Sequence, residues 1–155
     1  MVEKERKIRK DTDWLGLVSF GFFVILLGIV WITTANIWEK TGDFFRSFQL
    51  VNVTSSIALP APTGSHPVVY TAAMQFCLVF GAFQIFILAF KFVIHEPLSK
   101  IGDTVSGIVF WFGASYLFSL LASDSIRWFS FVAGILMLIG IMIIIGSMFK
   151  FFKKG

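Results

Sequence analysis

Apolar residues in this chain fall in long runs, where a water-soluble core would show short alternations. Residues 14–38, 68–94, 104–122 and 128–149 form four such runs, divided by clusters of charged, Gly, Pro and Ser residues. A helix climbs about 1.5 Å per residue, so crossing a hydrocarbon core of about 30 Å takes about 20 predominantly apolar residues. Each run approaches or exceeds that length. The pattern predicts an all-α polytopic integral membrane protein. Its four transmembrane helices form a bundle in one membrane domain, residues 14–149, with basic tails at 1–13 and 150–155.

The gaps between the runs carry their own signals. In the long loop, 39–67, helical spacing puts Phe44, Phe45, Phe48 and Val51 on one face and Asp43, Arg46, Ser47 and Gln49 largely elsewhere. That predicts a short amphipathic helix lying in the membrane interface. Residues 49–59 are rich in Val, Ser and Thr and favour an extended chain, and 60–67 is a Pro/Gly/Ser stretch closed to regular helix. Pro67 then suits a helix start. Thr12 or Asp13 is expected to cap span one, with Trp14 at one headgroup level and Trp31 and Trp38 at the other. Gly21 and Gly28, seven apart, share a face open to close helix approach. Gly102-Asp103-Thr104 predicts the N-cap of span three. The brief turn 123–127 makes spans three and four an antiparallel pair, with Ser130 and Gly134 at contact spacing and 136–145 facing lipid.

Composition agrees. The chain is 57% hydrophobic and 14% charged, against about 25% charged in soluble domains. The first run is longer than the roughly 7–15-residue core of a signal peptide and reads as a retained anchor. Its net charge of +4 is explained by where the basic residues stand. Lys4, Arg6, Lys7, Arg9, Lys10, Lys91, Lys100, Lys150, Lys153 and Lys154 flank one side, and Lys40, Arg46 and Arg127 flank the other. The positive-inside rule therefore places both termini in the cytoplasm of a multi-pass protein, with the plasma membrane as its expected site. The expected partners are the lipid bilayer and further helices, as a homo- or hetero-oligomer through small-residue faces, with no nucleic acid.

Candidate chemistry is thin. Among the polar side chains within the spans, Gln75, Gln84, Lys91, Ser115 and Ser119 read as helix-contact or pathway residues. Gln75 and Gln84 are nine apart and fall on opposite faces, whereas Lys91 shares the Gln84 face. Asn52-Val53-Thr54 is a weak N-glycosylation acceptor. His95-Glu96 reads as a solvated helix end, since adjacent side chains do not converge. The lone Cys77 excludes an internal disulfide and reads as packing. No ionisable residue lies near the centre of a span, where ion-coupled carriers keep one. There are no axial His pairs, no paired cysteines and no phosphate loop, so no cofactor, metal or catalytic residue is expected.

These features favour a non-catalytic accessory or structural subunit, or a scaffold that works through helix contacts. Two other readings stay open. One is an oligomeric channel or carrier with an uncharged polar pathway through Gln75 or Gln84, Ser115, Ser119 and Lys91. The other is a lipid-modifying enzyme at the cytoplasmic surface using His95, Glu96 and Asp103.

Overall fold

The computed structural model describes residues 2–151 of the backbone and the side chains of 14–149 and Phe151. The protein is an all-α four-helix membrane bundle with one addition. Its elements are α1 (Val2–Thr33), α2 (Ile37–Arg46), β1 (Phe48–Thr54), β2 (Ile57–Pro62), α3 (Pro67–Val93), α4 (Leu98–Ala122) and α5 (Trp128–Phe151). Four helices, α1, α3, α4 and α5, are long and apolar enough to cross a membrane. They pack as neighbours in chain order: α4 lies against α3 and α5, and α1 lies against α3. With four crossings, both tails and the α3–α4 turn share one end, the tail end. The segment α2–β1–β2 and the α4–α5 turn share the other, the hairpin end.

Helix boundaries depart from expectation in three places. Helix α1 is continuous from Val2, so Thr12 and Asp13 lie within it and not at its start; their side chains lie outside the described set, as do those of the basic tail. It also stops at Thr33, five residues short of the expected Trp38. Thr33 bonds back to the Ile29 carbonyl (2.8 Å), and Asn36 turns the chain in the left-handed region at φ 55°. Asn is one of the few side chains that tolerates that conformation. Trp38 thus lies in the first turn of a separate helix, α2, and packs edge-on against Trp31 at 4.4 Å. Helix α4 starts at Leu98, six residues before the expected start of the span at Thr104, because Pro97 supplies the φ of −62° a helix start needs and has no N–H to leave bare. Gly102, Asp103 and Thr104 therefore sit more than a turn inside α4.

The outer segment is shorter in helix than the periodicity implied. Helix α2 ends at Arg46, and Phe48 and Val51 belong to an antiparallel hairpin in which Phe48 pairs Pro62 and Asn52 pairs Ala58. Val51, Val53, Thr54 and Ile57 are β-branched and favour strand over helix. Pro60 and Pro62 are tolerated in β2 because a two-stranded sheet is all edge.

Two aromatic layers hold the bundle together. Within the membrane, Phe22 stacks on Phe83 at 3.8 Å, Phe23 meets Phe76 and Phe80 edge-on, and Phe80 meets Trp111 at 4.8 Å. At the hairpin end Phe44 touches Phe48, His66, Tyr70 and Trp128, above a buried cluster of Tyr70, Leu121 and Phe131. Ser47 locks this cap: its carbonyl accepts Thr63 N–H (2.9 Å) and its hydroxyl meets His66 Nε2 (2.9 Å). Glycines set the α4–α5 seam. A Cβ on Gly113 would fall 2.5 Å from Leu138, one on Gly134 would fall 2.8 Å from Leu117, and one on Gly102 would enter Phe149. By contrast Gly21 and Gly28 meet nothing within 4 Å, so the expected close approach on α1 is not made inside the chain. The 136–145 stretch of α5 is largely exposed, as expected of a lipid-facing segment: Leu136, Met137, Ile143 and Ile144 are all bare.

Candidate functional site

Polar side chains of α1, α3 and α4 meet at the tail end of the membrane domain. Gln84 and Lys91, seven residues apart, lie on one face of α3 because two helical turns nearly complete that interval. Lys91 Nζ donates to Thr104 Oγ1 (2.7 Å) and to the Lys100 carbonyl (3.3 Å), both on α4. Thr104 in turn donates to the same carbonyl at 3.1 Å. A pocket of about 440 Å³ opens here, lined by Ser19 of α1, Gln84 and Lys91 of α3, and Lys100, Asp103 and Thr104 of α4 among others.

Beside it, on the far side of Leu15, runs a more apolar groove of about 520 Å³ lined by Trp14, Phe90, Ile94 and Pro97 together with His95 and Glu96. Here the expectation of a solvated helix end is half right. His95 is exposed and takes a left-handed φ of 55°, but Glu96 is only 8% exposed. The turn at His95 folds Glu96 inward, where its N–H bonds the Lys91 carbonyl (3.0 Å) and its carboxylate stands 3.6 Å from Lys100 Nζ.

The five polar candidates do not share one site. Gln84 and Lys91 come together. Gln75 is exposed near the hairpin end, in a separate pocket with Thr33, Thr34 and Thr71. Ser115 is buried and donates to the Met74 carbonyl of α3 (3.1 Å). Ser119, i+4 from it, bonds its own helix at the Tyr116 carbonyl (2.7 Å). Asn52 is exposed on β1. Cys77 is buried, in keeping with a packing role. Among the described residues no group of three His, Cys, Asp or Glu side chains is placed to hold a metal ion. Sequence reading missed Ser19 and Thr104 as partners of this pocket. The available signal was Ser19's standing as the one hydroxyl in the first half of the span-one run.

Comparison with protein-family models, with curated proteins and with solved structures finds no match.

Proposed function

We propose that this protein is a non-catalytic subunit of a membrane assembly. It works through helix contacts, sits in the plasma membrane and has both termini in the cytoplasm. The observation that carries this reading is the use to which the polar side chains are put. Ser115 and Lys91 both tie α3 to α4, and Ser119 bonds its own helix. The candidate residues are thus divided between two ends and several faces, an arrangement that joins helices and strings no continuous polar path through one chain.

A contact surface is available on α1. Its aromatic side meets α3 through Phe22 and Phe23, while Gly21 and Gly28 have no intrachain neighbour within reach of a Cβ. Small residues at this spacing let a second helix approach closely, which is where membrane helices gain their packing energy. The excess of Lys and Arg at the tail end supports the cytoplasmic assignment.

The test is the double variant Gly21→Leu/Gly28→Leu, made in the native host. The expected result is loss of the co-purifying subunit with the thermal stability of the chain itself unchanged. An assembly that survives both substitutions removes α1 as the contact face.

A further inference from the structure

The pocket at the tail end has more hydrogen-bond donors than the protein uses. Lys91 carries three ammonium protons and a full charge, yet its two acceptors, Thr104 Oγ1 and the Lys100 carbonyl, are both neutral. The one ion pair among the described residues joins Lys100 to Glu96; Glu96 lines the neighbouring groove, and it and Asp103 act on Lys91 only as charges beyond ion-pair distance. Among the described residues Asp103 is the one carboxylate on the pocket wall; it is exposed and outside ion-pair distance of Lys91. Gln84 and Ser19, both half-buried on the same wall, bond no other described residue through their side chains. An amide left unmatched at membrane depth is costly, so a ligand that accepts from it is favoured.

The donors are also stacked in depth. Lys91 is two residues from the end of α3, at headgroup level, while Gln84 lies about 10 Å deeper along the helix axis. Ser19 lies about one and a half turns below Trp14. A cation at the surface with neutral donors beneath it matches a phosphate with ester carbonyls below it. That is the polar part of a glycerophospholipid.

We propose that this pocket is a binding site for a phosphate anion, with Lys91 on the phosphate and Gln84 and Ser19 on the ester oxygens of a phospholipid. Basic pockets between membrane helices are suited to anionic headgroups. A free phosphate shares the Lys91 chemistry but leaves Gln84 and Ser19 without an acceptor.

The experiment uses the full chain, delipidated in neutral detergent. Binding of phosphatidylglycerol and of phosphatidylcholine is measured by native mass spectrometry for the natural protein and for Lys91→Gln, Thr104→Val and Gln84→Leu. Phosphatidylglycerol is expected to bind about fivefold tighter than phosphatidylcholine. Lys91→Gln is expected to erase that preference. Thr104→Val, which removes the structural bond but keeps the charge, is expected to retain it. Gln84→Leu weakens both lipids and stands in if Lys91→Gln fails to fold. Inorganic phosphate is the second arm: displacement of the lipid at millimolar phosphate keeps the anion site but overturns its lipid occupant. Equal affinity for the two lipids, or a preference that survives Lys91→Gln, overturns the proposal.

Discussion

The hydroxyl of Ser115 on α4 donates to the carbonyl of Met74 on α3 across 3.1 Å, with Ser115 only 5% exposed. A serine inside a membrane helix usually bonds the carbonyl a turn back on its own helix, and Ser119 does so with Tyr116. Ser115 reaches across because Gly81 lets α3 come close to Trp111 and Phe112, with a Cβ there only 3.3 Å from the Phe112 ring and from the Cβ of Trp111.

Ser115→Ala is expected to lower stability by about 0.6 kcal/mol, the usual strength of a hydrogen bond between membrane helices. Ser115→Leu, which forces bulk into the same buried site, is expected to cost about 1–3 kcal/mol. Ser119→Ala should change little. Unfolding in mixed micelles with increasing SDS measures all three.

The glycines divide into two groups with opposite outcomes. Gly113→Ala places a methyl 2.5 Å from Leu138 and is expected to cost about 1–3 kcal/mol. Gly21→Ala and Gly28→Ala meet nothing within 4 Å and should leave the chain's own unfolding unchanged, because a methyl there has no intrachain neighbour to displace.

Asn36 is the hinge between α1 and α2, held at φ 55°. Asn36→Val is expected to cost about 1–2 kcal/mol, since a β-branched side chain resists the left-handed region. Asn36→Gly should be tolerated. Hydrogen exchange across 33–46 would show the difference as faster exchange in the valine variant alone.

The four spans were legible from hydropathy alone, because chain length against bilayer thickness leaves little freedom. The ends of the helices were not. Hydropathy sees Ile37 and Trp38 as a continuation of span one, but the break depends on one backbone angle at Asn36. The start of α4 was read at Asp103, where the capping chemistry is good. Pro97 starts it earlier, and the added turn buries Ile101 and sets Gly102 against Phe149 of α5. The hairpin was half legible: residues 49–59 read as extended, but Phe48 and Val51 also fit a helical face and were assigned to it. At the pocket, the shared face of Gln84 and Lys91 followed from spacing. Ser19 and Thr104 did not, because pairing between separate helices leaves no periodic trace in a single sequence.

Topology is open to direct labelling. In a Cys77→Ala background, Ser56→Cys at the hairpin tip should react with a membrane-impermeant thiol reagent on intact cells. Lys153→Cys in the tail should react only after the membrane is opened, as the distribution of basic residues requires. In a host that glycosylates Asn-X-Thr, an outward hairpin also exposes Asn52, and any added mass should vanish in Asn52→Gln.

The central claim is that this chain works as a subunit through helix contacts, and native mass spectrometry of the tagged protein, purified from its own host in mild detergent, tests it most directly. The account predicts a different protein bound at fixed stoichiometry and released by Gly21→Leu/Gly28→Leu. A homo-oligomer of this chain alone, unchanged by those substitutions, would contradict it.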